Sequence, residues 1–125
     1  MFRALKDQFE PVDSKDTNYP YLHWWPKNNS LEFVQYDFDK EYIVSESKVY
    51  WFDDGPWGGC RIPADYKLYY KKDGEWLPVK NTSPYMLAKD KYNIVNFEPV
   101  KTTALKMEIQ LPKDNSTGIH EWAIK

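Results

Sequence analysis

The sequence has little of what catalytic and disulfide-stabilised proteins use. Its 125 residues include one cysteine, Cys60, and two histidines, His23 and His120. A single cysteine excludes an internal disulfide and leaves the redox compartment open. The sequence has no Gly-x-Ser-x-Gly elbow and no phosphate-binding glycine-rich loop, and no local spacing supports a zinc site. We therefore predict that the chain is not an enzyme.

The sequence also lacks a strong excess of charge of either sign and any long run of apolar residues. Seventeen Lys and Arg face nineteen Asp and Glu, which gives a net charge of −2, and the two signs are interleaved rather than grouped. This pattern lacks the basic patch by which proteins bind nucleic acid. No stretch approaches the roughly 20 consecutive apolar residues that a membrane helix requires. We expect neither nucleic acid nor a membrane as a partner.

The N-terminal residues lack the apolar stretch and small-residue cleavage site of a secretory signal. From the residues alone, the chain is either cytoplasmic or a piece of a larger protein. Its length fits one core, so we expect residues 1–125 to form a single domain.

Aromatic residues, in contrast, make up 18% of the chain, and the dominant hydrophobic period is two. Strands are predicted in the segments that alternate in this way, which are 32–38, 47–52, 65–71, 92–97, 104–111 and 118–124. Turn signals separate them, among them residues 39–41, 73–74 and 98–99, and Asp73-Gly74 is typical of a tight hairpin. This spacing predicts an all-β fold, an antiparallel β-sandwich.

Residues 51–63 combine aromatic, acidic and arginine side chains on a glycine-rich connection between two predicted strands. Sugars are bound by aromatic faces that stack on the ring, while carboxylates, amides and arginine hydrogen-bond the hydroxyls. Trp57 is the candidate platform, with Asp53, Asp54 and Arg61 as hydroxyl partners. In the structural alternative, Trp57 covers one end of the sandwich and Arg61 pairs with an aspartate to hold the loop.

A second aromatic cluster, His23-Trp24-Trp25-Pro26, precedes the first strong strand. One tryptophan is expected to close the core, and the other is expected to line the Trp57 end together with His23. Spacing does not settle which tryptophan does which. We take His23 and Trp24 as candidate ligand-binding residues.

Acidic residues near the two ends of the chain, Asp7 and Glu10 early and Glu121 late, carry the hard oxygen ligands that Ca²⁺ prefers. From the residues alone, solvated charges near the chain ends are the simpler interpretation.

Several motifs together resemble a known family. They are residues 31–38, the 66–70 strand with the Asp73-Gly74 hairpin and Trp76 after it, and the closing residues 118–122. These resemble the discoidin or coagulation factor V/VIII type C domain, a galactose-binding-like jelly-roll sandwich. The residues 51–54 (Trp-Phe-Asp-Asp) and 58–63 (Gly-Gly-Cys-Arg-Ile-Pro) are most similar to the C-terminal module of bacterial proteins related to beta-L-arabinofuranosidases.

The resemblance implies three properties that the residues alone do not show. The chain would be a module of a larger secreted or periplasmic glycoside hydrolase. One structural Ca²⁺ would lie between Asp7 and Glu121. The sugar would bind on loops at one end of the sandwich, which agrees with the position of the Trp57 loop.

We therefore expect a non-catalytic carbohydrate-binding module that holds its parent enzyme near a glycan. The alternative is a structural accessory domain that packs on the parent catalytic domain and binds no free sugar. A third class is a minor catalytic contribution, in which Arg61 or Asp54 reaches into a neighbouring active site.

Overall fold

The structure, a computed structural model, describes residues 22–125 and a short strand at residues 2–3. The described residues form seven strands and no helix, and so contain no helix long and apolar enough to cross a membrane. The strands are β1 (Phe2–Arg3), β2 (Leu22–His23), β3 (Leu31–Phe52), β4 (Asp65–Lys72), β5 (Glu75–Pro78), β6 (Tyr92–Gln110) and β7 (Gly118–Ile124).

The two longest strands, β3 and β6, pair with each other and contribute to both layers of the fold. In the first layer, the first half of β3 and the second half of β6 lie beside β4 and β5. In the second layer, the second half of β3 lies beside β7, which in turn pairs with β1 and β2. All of these pairings are antiparallel, and the strand order is β1-β7-β3-β6-β4-β5. The predicted all-β, jelly-roll β-sandwich is confirmed.

The bends that carry β3 and β6 from one layer to the other are bulges. The β3–β6 pairing shifts register between Asp37 and Tyr42, and again between Val44 and Glu46, opposite residues 97–99. Turns were expected at 39–41 and 98–99, and that expectation is wrong because the strands continue through both places. Extra residues on one strand bend it and increase its twist, so a bulge produces the layer change without breaking the strand. Pro99 is tolerated there because a bulge does not need its missing N–H.

One hydrophobic core lies between the layers. The first layer contributes buried side chains from β4 and β6, and the second contributes buried side chains from β3, β6 and β7; among them are Leu68, Met107, Ile109, Val49, Val95 and Trp122. Trp51 of the second layer meets Tyr66 of the first, with ring centroids 5.2 Å apart. Both residues are fully buried. The apolar side chains of the alternating segments thus point into the core from both layers, as the sequence predicts.

The hairpin between β4 and β5 has the predicted turn. Asp73 has a φ of +51° and Gly74 a φ of +79°, and the flanking Lys72 and Glu75 are paired. Two successive residues with positive φ are characteristic of the primed turn that matches the twist of the strands.

Replacing Gly74 with alanine is expected to lower the free energy of unfolding by about 1 kcal/mol, because a Cβ strains a backbone with positive φ. No other atom lies within 4 Å of the position that this Cβ would take, so the cost comes from the backbone itself. Urea denaturation measures the effect, with Glu75→Ala on the same hairpin as the control. Equal midpoints for the two variants would contradict the assignment of the turn.

Candidate functional site

The connection from β3 to β4, residues 53–64, forms a loop at one end of the sandwich. An open cleft of about 540 Å³ lies beside it, and its walls include His23, Trp25, Asp54 and Trp57. The cleft thus joins the two aromatic clusters that are about thirty residues apart in the sequence. Three of the predicted ligand-binding residues, Trp24, Asp53 and Arg61, do not line it.

Asp53 holds the two ends of the loop together. Its side chain is buried, and Oδ1 accepts a hydrogen bond from the Gly55 N–H at 3.0 Å. Its other oxygen, Oδ2, accepts one from the Ile62 N–H, also at 3.0 Å. The Lys89 Nζ lies 3.7 Å from Oδ1 and balances the charge. Both carboxylate oxygens therefore accept hydrogen bonds from the loop backbone. Asp53 stabilises the loop beside the cleft and does not line the cleft.

Asp54 and Arg61 brace the middle of the loop. Asp54 Oδ1 accepts a hydrogen bond from the Cys60 N–H at 2.8 Å. A guanidinium nitrogen of Arg61 donates to the Gly58 carbonyl at 2.7 Å and to the Cys60 carbonyl at 2.8 Å, and it lies 3.9 Å from Asp54 Oδ1. The guanidinium thus holds the loop through carbonyl groups, whereas the structural alternative expects an aspartate as its partner; Asp54 lies at the edge of ion-pair distance. Asp54 both braces the loop and lines the cleft.

The two adjacent glycines allow close packing in this loop. A Cβ on Gly58 would overlap the Asp54 carboxylate, and a Cβ on Gly59 would overlap the indole of Trp25. The Gly59 carbonyl also accepts a hydrogen bond from the Ser116 N–H at 2.8 Å, which ties the loop to the segment before β7. The loop and Trp25 therefore pack as one unit.

Trp57 lies at the tip of this braced loop and is 92% exposed. Trp25 is 59% exposed, and its indole ring lies against the loop at Gly59. Indole rings are rarely left this open to water, and exposed apolar surface of this kind is typical of a binding surface.

The sequence analysis takes Trp24 as the candidate ligand-binding residue, but in the structure Trp25 lines the cleft and Trp24 does not. Trp24 packs against the core, and its backbone N–H donates to the Thr117 carbonyl at 3.0 Å. Trp25 instead lines the cleft, together with the exposed His23. Strand β2 ends at His23 and is too short to show an alternating pattern, so no signal in the sequence distinguished the two rings.

The predicted calcium pair is placed only in part. Asp7 and Glu10 lie outside the described residues. Glu121 lies on β7, opposite Tyr50 of β3, and is fully buried. Within the range 22–125, no group of three or more His, Cys, Asp or Glu side chains is arranged to hold a metal ion. A calcium site at Asp7 and Glu121 stays a prediction.

Cys60 is buried in the loop, and its thiol is not activated. Burial, with a smaller contribution from the nearby Asp54 and Asp53 carboxylates, raises the pKa of the Cys60 thiol to about 11. The nucleophilic form of cysteine is the thiolate, so a raised pKa keeps this side chain unreactive at neutral pH. The cleft wall formed by Cys60 is thus apolar in character.

Comparison with known proteins agrees with this architecture. The family model described as the F5/8 type C domain matches residues 9–123. A solved structure of the Streptococcus pneumoniae beta-galactosidase BgaA is similar, with a TM-score of 0.69 and 18% identity, covering 82% of this chain and 76% of that chain. At this level of identity the likeness concerns the fold.

Proposed function

Since the chain belongs to the F5/8 type C domain family and is a non-catalytic module, we propose that it binds a glycan on behalf of a glycoside hydrolase of which it is part. The parent enzyme would be secreted or periplasmic. In this proposal it is related to the beta-L-arabinofuranosidases, as the motifs at residues 51–54 and 58–63 suggest. The similar fold within a beta-galactosidase structure supports an association with glycoside hydrolases.

The observation that carries the proposal is Trp57, a 92% exposed indole on a loop whose backbone is fixed by Asp53, Asp54 and Arg61. A ring held in place before the ligand arrives loses little conformational freedom on binding, so more of its stacking energy contributes to affinity. An exposed ring on a fixed backbone has what a stacking platform requires.

In this proposal the two exposed rings and two polar side chains of the cleft have different roles. Trp57 and Trp25 offer apolar faces on which a sugar ring stacks. Asp54, whose side chain is 30% exposed, and His23 provide the hydrogen bonds that select among hydroxyl arrangements. The cleft is open and buries only part of a ligand, so we expect weak binding.

Titration of the chain with galactose, arabinose and plant oligosaccharides, followed by tryptophan fluorescence, tests this proposal. We expect a saturable change for at least one sugar, and we expect Trp57→Ala to abolish it. Trp76→Ala, a tryptophan on β5 outside the cleft lining, is the matched control and should keep the response.

A saturable change that persists in Trp57→Ala would contradict the placement of the site. No response across a broad glycan panel would contradict sugar binding. That result would favour the structural alternative, in which the exposed rings pack on the parent catalytic domain.

A structural Ca²⁺ at Asp7 and Glu121 is part of the same proposal. Glu121 is a fully buried carboxylate, and carboxylate oxygens are the ligands that Ca²⁺ prefers. An ion that binds only the folded state raises its stability, by about 2.7 kcal/mol at a hundred times the dissociation constant. We expect a chelator to lower the melting midpoint of the wild type but not that of Glu121→Gln. Equal wild-type midpoints with and without chelator would exclude the ion.

A further inference from the structure

The outer face of the first layer carries three aromatic rings, none of which lines the cleft. Phe33 on β3 is 60% exposed, and Tyr69 on β4 and Trp76 on β5 are half-buried. In the strand order β5-β4-β6-β3, these rings lie on both sides of β6. The row from β5 to β3 covers three strand spacings, about 14 Å.

A lysine from the intervening strand joins the rings into one surface. The Nζ of Lys106 on β6 lies 4.9 Å from the centroid of Trp76, 5.4 Å from Tyr69 and 5.9 Å from Phe33. The Nζ of Lys71 on β4 lies 5.9 Å from Trp76. We call these five residues the aromatic–lysine face. Such ammonium–ring contacts are weak at an exposed surface, so a ligand that stacks on the rings can displace the lysine side chains from them.

The aromatic–lysine face carries two ammonium groups that no carboxylate of the described residues neutralises directly. Neither Lys71 nor Lys106 has a carboxylate within ion-pair distance among residues 22–125. Glu108 on β6 lies opposite Phe33 of β3 and Lys67 of β4. Burial together with the Glu108 carboxylate raises the pKa of the Tyr69 hydroxyl. The two ammonium groups are therefore available to an anionic ligand that also has flat apolar surfaces.

We propose that the aromatic–lysine face binds an extended acidic polysaccharide made of uronic acid units. Sugar rings stack on Trp76, Tyr69 and Phe33, and carboxylates of the chain pair with Lys106 and Lys71. Charge complementarity selects an anionic chain over a neutral one. The open face buries little of any single sugar, so a polymer that makes several contacts at once is favoured over a monosaccharide.

This site is distinct from the cleft and does not depend on it. The two share no lining residue, so each can fail while the other holds. Trp57→Ala tests the cleft and Trp76→Ala tests the face, and each variant is the control for the other.

Isothermal titration of the chain with polygalacturonate, and with fully methyl-esterified polygalacturonate as its neutral counterpart, tests the proposal. We expect binding to the acidic polymer only. Loss of one charged contact should weaken it about tenfold in Lys106→Gln, and Trp76→Ala should weaken it at least as much. Raising the salt from about 0.05 to about 0.5 M should weaken binding further, because exposed charges are screened.

Lys91→Gln, an exposed lysine just before β6 and outside this face, is the matched control and should bind as the wild type does. Lys106→Gln removes a charge from an exposed face and should leave the melting midpoint near that of the wild type, so its result stands even if Trp76→Ala folds poorly. Equal binding to the esterified polymer, or no binding to either, would overturn the proposal. A dimer in sedimentation velocity that Trp76→Ala dissociates would also overturn it, because the face would then join two copies of this chain.

Discussion

Replacing Trp51 with alanine is expected to lower the free energy of unfolding by about 3 to 5 kcal/mol, the usual cost of emptying a large aromatic site in a core. Trp51 is fully buried, and its ring packs on Tyr66 of the opposite layer. A domain of this size has only about 5 to 15 kcal/mol of stability in total. Urea denaturation followed by circular dichroism measures the loss.

Trp57→Ala provides a closely matched comparison, because it makes the same substitution only six residues further along the chain. Trp57 is 92% exposed, so its loss should change the free energy of unfolding by no more than about 0.5 kcal/mol. The Trp51→Ala substitution should therefore lower stability, and the Trp57→Ala substitution should weaken sugar binding with little effect on stability. Similar losses of stability in both variants would contradict the inward and outward assignment of this segment.

Replacing Asp53 with alanine is expected to destabilise the protein by about 3 kcal/mol, because hydrogen bonds to a charged group contribute about 1.5 to 3 kcal/mol each. Two N–H groups, of Gly55 and Ile62, would lose their acceptor, and Lys89 would lose its counter-charge. Without this anchor the loop would no longer hold Trp57 in place. Sugar binding at the cleft should then weaken about tenfold or more.

The conservative change Asp53→Asn separates the two hydrogen bonds. An amide has one acceptor oxygen, so one of the two N–H groups stays satisfied and the destabilisation should be about half as large. Asp114→Ala, an exposed aspartate in the connection before β7, is the control and should have almost no effect. If Asp53→Ala were as stable as Asp114→Ala, Asp53 would not anchor the loop.

Most of the architecture could be predicted from alternation, because each strand buries one face and exposes the other. The Val34–Tyr36–Phe38 side of β3 and the Leu105–Met107–Ile109 side of β6 turn inward as expected. The bulges of β3 and β6 could not be predicted in this way. Residues 39–41 and 98–99 have the composition of turns, and only the pairing with a partner strand shows that the chain continues through them.

The candidate site was predictable in its parts but not in its geometry. The unusual composition of residues 51–63 located the loop, and the structure leaves Trp57 at its exposed tip. Whether a polar side chain braces the loop or lines the cleft depends on which backbone groups it reaches, and the sequence alone does not show those contacts. Asp53 accepts hydrogen bonds from both ends of the loop, whereas Asp54 lines the cleft.

The most direct test of the proposed sugar site uses the six tryptophan indole N–H signals of the chain in nitrogen–proton correlation spectra. During titration with the sugar that gives the strongest fluorescence response, the indole signals of Trp57 and Trp25 should shift together with one dissociation constant. The signals of the buried Trp51 and Trp122 should stay in place. A sugar that moves the buried indoles and leaves Trp57 and Trp25 unchanged would contradict binding at this cleft.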